Sequence, residues 1–191
     1  MKALAMIRAE HRSLAAVLYT LQALTRRARE GRLAPDYALA RQIVDYLESF
    51  HQRFHHPKED DYLFKALRER SREADAELER LEREHAEGDA RLAALREAVD
   101  RAQSGAASLQ ELAAEVERYA DFHWRHMRAE EDVVMPLAER LLSSDDWQRI
   151  DAAFAANDDP LFGAARREEY RRLLAAIAEH APPPLGSGSA T

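Results

Sequence analysis

The sequence of 191 residues contains no cysteine. This absence excludes disulfides, zinc–thiolate sites, iron–sulfur clusters and cysteine nucleophiles. A bound metal ion would therefore have to be held by His, Asp, Glu or Tyr side chains.

Residues that favour strands and turns are also scarce. Val, Ile and Thr are few beside Ala and Leu, and the 6 Gly and 7 Pro include several that follow Ala181. Because Ala and Leu favour helices and β-branched residues favour strands, the composition predicts an all-α protein. Short connections between long helices predict an up-down-up-down four-helix bundle. The positions of helix-breaking and helix-capping residues predict that its four helices lie at about 2–30, 36–70, 72–102 and 109–142.

Two shorter helices are expected after the bundle. Ser143 can cap one that ends near Ala156, and the other ends near His180. Apolar residues such as Trp147 and Phe162 are expected to dock them on the bundle, although they would equally serve a dimer contact, so a monomer and a homodimer both stay open. The predicted organisation is a bundle over 1–142, a packed helical extension over 143–181 and a disordered tail over 182–191.

The charge pattern excludes several classes of partner. The 28 basic and 35 acidic residues give a net charge of −7, which disfavours nucleic acid as a partner. Charges at Lys2, Arg8 and Glu10 interrupt the N-terminal region, so no signal peptide is expected. No apolar run reaches the roughly 20 residues of a membrane span. We therefore expect no membrane association and a cytoplasmic location.

The apolar stripe of each long helix is interrupted by side chains that can bind metal. In the first and third helices a single histidine takes a core position, and in the second and fourth a His-x-x-x-Glu pair does so. These inward-facing residues are His11, His55, Glu59, His85, His126 and Glu130.

These residues predict a site for two metal ions at the centre of the bundle. A His and a Glu four residues apart project from one face of a helix. Two such pairs and two single histidines supply four imidazoles and two carboxylates, and the carboxylates are natural bridges between ions. Iron, manganese and zinc all accept this donor set. With an oxo or hydroxo bridge, each ion would keep one open position for a small ligand.

Two other residues in the stripes can alter helix geometry. Pro57 lies between His55 and Glu59 and predicts a kink or a break there, because proline lacks an N–H and clashes with the preceding turn. Gly88 takes a core position one turn after His85. It either leaves room for a small ligand beside the metals or permits a kink or close helix approach, and we favour the latter.

The polar motifs resemble those of hemerythrin-like HHE cation-binding domains. The resemblance covers about residues 1–142 and rests on His11, the run His55-His56-Pro57-Lys58-Glu59-Asp60, His85 and the run His126-Met127-Arg128-Ala129-Glu130-Glu131. It implies a four-helix bundle with a non-haem pair of iron ions, held by the six residues given above. It also implies a function with dioxygen, peroxide, nitric oxide or iron itself. Manganese and zinc rank below iron as cofactors.

Two motifs depart from those of oxygen-carrying hemerythrins, which have His-x-x-x-His in the third helix and His-x-x-x-x-Asp in the fourth. Here no second histidine follows His85 at that spacing, and Glu130 and Glu131 follow His126 at four and five residues. The pattern is closer to di-iron proteins that repair iron centres after nitrosative stress. Those usually add a cysteine-containing N-terminal segment, and this chain has no cysteine.

Further residues near the motifs have two interpretations each. His51 and His123 lie on the inward faces and either ligate metal or line the pocket as hydrogen-bonding or proton-relaying groups. His56 points away from His55 and is expected to pair with Asp60 outside the metal ligands.

Three more side chains flank the motifs. Tyr62 either ligates metal or packs with its hydroxyl at the rim, and we favour packing. Glu10 and Glu84, which precede the single histidines, are expected to face a neighbouring helix or solvent.

The leading functional hypothesis is a di-iron protein that binds or reduces dioxygen, peroxide or nitric oxide. An enzymatic activity stays open, because no flavin, nicotinamide or iron–sulfur motif marks an electron source. The alternative is an iron- or oxygen-sensing module without turnover. A bundle without metal is the third reading, and it leaves Glu59 and Glu130 unexplained.

Overall fold

The computed structural model describes residues 1–155 and 170–181, which form helices and no strands. The all-α fold predicted from composition is confirmed. The helices are α1 (Lys2–Arg29), α2 (37–70), α3 (Asp75–Gln103), α4 (109–141), α5 (Ser144–Phe154) and α6 (Arg171–His180). None of them combines the length and hydrophobicity that crossing a membrane requires.

Helices α2 and α4 each contain π-helical segments, in which a turn holds about one more residue than in an α-helix. In α2 these segments are Leu47–His55 and Glu59–Phe64, and in α4 the segment is Glu130–Val134. The backbone N–H of His56 donates to the carbonyl of His51, five residues earlier. The wider turns therefore occur where the predicted ligands lie.

The helix does not break at Pro57, contrary to one of the two expectations for that residue. Pro57 lies in the short α-helical segment His56–Lys58, between the two π-helical segments of α2. The chain thus accommodates the missing N–H by changing its hydrogen-bonding pattern on both sides of the proline while remaining helical.

Side-chain caps set several helix starts. Ser108 and Glu111 form a capping box at the start of α4, and Ser143 and Asp146 form one at the start of α5. The predicted start of α3 is wrong by a few residues. Ser71 accepts a hydrogen bond from the backbone N–H of Glu73 in a turn, and α3 itself starts at Asp75.

Long helices pack along α4, which lies against α1 and α3, while α2 lies against α3. Helix α5 packs on α1 and α2 near Glu59–Phe64, and α6 packs on α1 and the start of α2. The predicted end of the first short helix near Ala156, the residue Phe162 and the tail 182–191 lie outside the described residues.

Two apolar clusters occupy the two ends of the bundle. The first cluster includes Leu14, Leu18, Val44, Tyr46, Phe50, Leu92, Leu95, Val116 and Tyr119. The second cluster includes Leu4, Ile7, Leu63, Leu78, Leu81, Met135, Trp147 and Phe154. Along α1, His11 falls between Ile7 of the second cluster and Leu14 of the first. The polar residues of the stripes therefore form a layer between two apolar regions.

Candidate metal centre

The six predicted ligands lie together in the layer between the clusters, and each is at most 9% exposed. Donor atoms of three of them lie within 4.8 Å of one another, and donor atoms of a second, overlapping set of four do the same. The first set is His11, His55 and Glu59, and the second is Glu59, His85, His126 and Glu130. Two adjacent positions for ions are thus available.

Each glutamate lies near histidines on both halves of the site, of which one half has His11 and His55 and the other has His85 and His126. One carboxylate oxygen of Glu59 lies 3.4 Å from His55 Nε2, and its other oxygen lies 3.7 Å from His85 Nε2. For Glu130 the two oxygens lie 3.2 Å from His11 Nε2 and 3.2 Å from His126 Nε2. This is the arrangement that two bridging carboxylates need.

The Nδ1 atom of each of these four histidines hydrogen-bonds a carboxylate. The Nδ1 to oxygen distances are 2.6 Å for His55 with Glu10, 2.8 Å for His126 with Glu84, 2.8 Å for His85 with Asp60 and 2.9 Å for His11 with Glu131. If Nδ1 carries the proton and its N–H donates a hydrogen bond to the carboxylate, the Nε2 lone pair is left for a cation.

Glu10 and Glu84 face a neighbouring helix, which was one of the two expectations for them, but their hydrogen bonds to histidines of the site were not predicted. Each precedes a histidine of the site but hydrogen-bonds the histidine of the next helix. Asp60 and Glu131 follow the two glutamates and bind histidines of the opposite half. Adjacency to the ligands in sequence is the signal that could have identified all four.

Buried charges at the centre shift its pKa values in opposite directions. Burial and the neighbouring Glu130 raise the pKa of Glu59 well above its ordinary value. Burial would do the same to Glu130, but His126, His11 and His85 outweigh it and lower its pKa. Burial opposes protonation of His126, yet Glu130 and Glu84 raise its pKa to about 9. The centre thus favours an ionised Glu130 beside a protonated His126.

The donor set fits a metal pair. Among the described residues, none hydrogen-bonds the carboxylate oxygens of Glu59 or Glu130, although all four oxygens are buried. His11 Nε2 is buried and lacks a hydrogen bond as well. Buried carboxylates that accept no hydrogen bond are costly unless a cation compensates them. Imidazole nitrogen and carboxylate oxygen are donors that iron, manganese and zinc accept.

His56 is buried and lies inside the histidine cluster. Its Nδ1 pairs with Gln52 Oε1 at 2.8 Å, so the expected pairing with Asp60 is wrong. Its ring stacks on that of His85 at 4.2 Å, and its donor atom lies within 4.8 Å of those of His85 and His126. His56 is thus a further imidazole within reach of one ion position.

Gly88 makes room for the side chain that holds His56. A Cβ at this position would lie 2.2 Å from Gln52 Nε2 and 2.7 Å from Gln52 Oε1. The space beside Gly88 therefore accommodates an amide side chain, which excludes the small-ligand interpretation of this glycine.

The remaining candidates differ in their positions. His51 and His123 are each 1% exposed and lie beside the centre, whereas Tyr62 is 43% exposed and lines a surface groove with Lys65 and Arg149. Tyr62 therefore takes no part in the site.

A depression of about 300 Å³ between α1 and α4, lined in part by His11 and Glu131, lies on the solvent side of the centre.

Comparison with known proteins agrees with the geometry of the site. The family model described as the hemerythrin HHE cation binding domain matches residues 2–138. Neither the curated proteins nor the solved structures include a match to this chain.

Proposed function

Because the chain belongs to the hemerythrin HHE cation-binding domain family, we propose that its buried centre holds two iron ions and binds or reduces a small oxidant. The candidate oxidants are dioxygen, peroxide and nitric oxide. The proposed ligands are His11, His55, Glu59, His85, His126 and Glu130.

The position of the two glutamates is the observation that carries this proposal. Each places one carboxylate oxygen near a histidine of either half, and none of these oxygens has a hydrogen-bond partner among the described residues. A purely structural pair of buried carboxylates would be expected to accept hydrogen bonds. Two bridging carboxylates between two cations account for both features.

The carboxylates on the outer side of the histidines support the same reading. Glu10, Asp60, Glu84 and Glu131 orient the imidazoles and make them more basic. The apolar clusters above and below restrict water at the centre. Iron bound there would supply one-electron redox changes and open coordination positions, while the protein residues orient the ligands and compensate charge.

Metal analysis of protein purified in air, with an optical spectrum, tests the proposal. We expect about two iron ions per chain and the visible absorption of ferric iron. Glu130→Ala and His85→Ala should lower the iron content, whereas His180→Ala, far from the centre, should leave it unchanged. Equal iron in all three variants would show that the ligands are misassigned.

A second measurement separates an enzyme from a binding or sensing module. Steady decomposition of added peroxide by the iron-loaded protein would indicate catalytic turnover. A reversible spectral change without turnover would favour the alternative, in which the centre binds its ligand and reports on iron or oxygen.

A further inference from the structure

Two buried histidines beside the centre have unsatisfied ring nitrogens. His51 and His123 are each 1% exposed, and neither Nδ1 nor Nε2 of either ring hydrogen-bonds any described residue. Burying a polar group without a hydrogen-bond partner is unfavourable. The chain carries this cost on two different helices at the same site, which points to a bound group that satisfies both rings.

Both histidines lie on the same side of the centre. His51 precedes His55 in α2, His123 precedes His126 in α4, and α2 and α4 run parallel in an up-down-up-down bundle. Their rings lie 5.0 Å and 6.4 Å from those of His55 and His126, which belong to different ion positions. A small molecule between the two ions would thus have one of these histidines on either side.

The surroundings restrict the size of such a molecule. The ring of His51 contacts Tyr46 and Phe50 at 6.0 and 5.5 Å, and that of His123 contacts Tyr119 and Phe122 at 4.6 and 5.1 Å. These aromatic rings close the side of the centre that faces the first cluster. This close packing of rings favours a molecule of a few atoms over a larger one.

The chemistry of the two rings indicates what is bound. Each imidazole carries at least one N–H donor. The carboxylates that accept from the other histidines of the centre are already engaged, and none of them hydrogen-bonds His51 or His123. Neither histidine belongs to a group of three donors within 4.8 Å among the described residues, so their position does not suit direct ligation.

We propose that His51 and His123 bind a small anion of two or three atoms that attaches to the metal pair, donating one hydrogen bond each. This inference rests on the proposed function, because the ions supply the remaining contacts. The two histidines hold the anion in place and set which small molecules bind tightly.

Titration of azide into the iron-loaded protein tests this proposal. The variants are His51→Leu, His123→Leu and the double variant, with His180→Leu as the matched control outside the site. Loss of one charge-assisted hydrogen bond should weaken azide binding about tenfold or more for each single variant. The control should bind azide like the wild type, and His51→Asn and His123→Asn, which retain an N–H donor, should restore most of the affinity.

Iron content and thermal stability of the same variants complete the test. Iron should be unchanged, and the metal-free leucine variants should melt no lower than the wild type, because each removes an unsatisfied buried group. Unchanged azide affinity in the double variant would overturn the proposal, as would a loss of iron, which would make the histidines ligands. A wild-type protein without iron would overturn this proposal and the proposed function together.

Discussion

At the scale of single residues, the two central glutamates are chemically alike, but their pKa values shift in opposite directions. Glu130 is surrounded by His11, His85 and His126, which lower its pKa and favour its ionised form. Burial and the charge of Glu130 both disfavour ionisation of Glu59 and raise its pKa. The same substitution at the two positions should therefore have opposite effects.

We expect Glu59→Gln to stabilise the metal-free protein and Glu130→Gln to destabilise it. The pKa of Glu59 is raised in the folded state, so the wild type loses stability as pH rises from the ordinary carboxyl range through that raised value. Denaturant unfolding at pH 8 should show a gain of about 1 kcal/mol or more for Glu59→Gln, which declines as pH falls and disappears below the ordinary carboxyl range, at about pH 4. Glu130→Gln should lose about 3 kcal/mol, because it leaves buried cationic histidines unpaired. A gain in both variants would contradict this assignment of charge.

The outer carboxylates are expected to tune metal affinity. Glu84→Gln removes the charge that orients His126, and Glu10→Gln does the same for His55. Each should weaken iron binding about 10- to 100-fold in a competition titration with a chelator. Glu87→Gln, on the exposed face of α3 and paired with Arg91, is the matched control and should leave the affinity unchanged. Wild-type affinity in Glu84→Gln would show that the hydrogen bond does not contribute.

At the scale of helices, one buried carboxylate joins α5 to α2. Asp146 is fully buried, caps the start of α5 through Ser143, and accepts hydrogen bonds from Arg70 at 2.8 and 3.0 Å and from Arg149 at 2.6 Å. Arg70 and Ser143 lower the pKa of Asp146. Asp146 therefore both caps α5 and attaches it to α2 through Arg70.

We expect Asp146→Asn to destabilise the protein by about 2 kcal/mol at pH 7, because it weakens the cap and removes the negative charge that pairs with Arg70. The pKa of Asp146 is depressed in the folded state, so its contribution is present above the ordinary aspartate range and declines as pH falls through the folded value. Thermal melts from pH 7 to pH 2.5 should therefore show the wild type and the variant converging in acid. A constant difference across this range would mean that the charge of Asp146 is not what matters.

At the scale of the whole molecule, the centre joins α1, α2, α3 and α4 and lies between the two apolar clusters. A cation that binds there binds only the folded chain, so it should stabilise the entire bundle. With iron at 100 to 1,000 times its dissociation constant, the gain is about 3–4 kcal/mol per ion.

Calorimetry should accordingly show that removal of iron by a chelator lowers the melting temperature by about 10 °C or more. His180→Ala should behave like the wild type, and Glu130→Ala should show little difference between chelated and iron-treated protein. Equal melting temperatures with and without iron in the wild type would show that no ion bridges the helices.

Much of the fold could be predicted from the sequence, because it depends on the spacing of apolar residues along each helix. Ala- and Leu-rich stripes, few breakers and serine caps predict four long helices, and the histidines and glutamates that interrupt the stripes must then face the centre. The π-helical segments at Leu47–His55 and Glu130–Val134 were not predicted, because no residue type marks a change from the α-helical to the π-helical hydrogen-bonding pattern.

The sequence by itself determined that this protein is helical, that any bound metal must be held by His, Asp, Glu or Tyr, and that the six histidines and glutamates of the predicted metal site face the bundle interior. Only the tertiary structure decided that Glu10 and Glu84 hold histidines of a neighbouring helix, that Gln52 lies against Gly88, and that Tyr62 is outside the site. The physical reason is that periodicity specifies the face of a helix on which a residue lies. Contacts between helices also depend on their relative rotation and on how far they extend past one another, and these follow from the packing of the whole bundle.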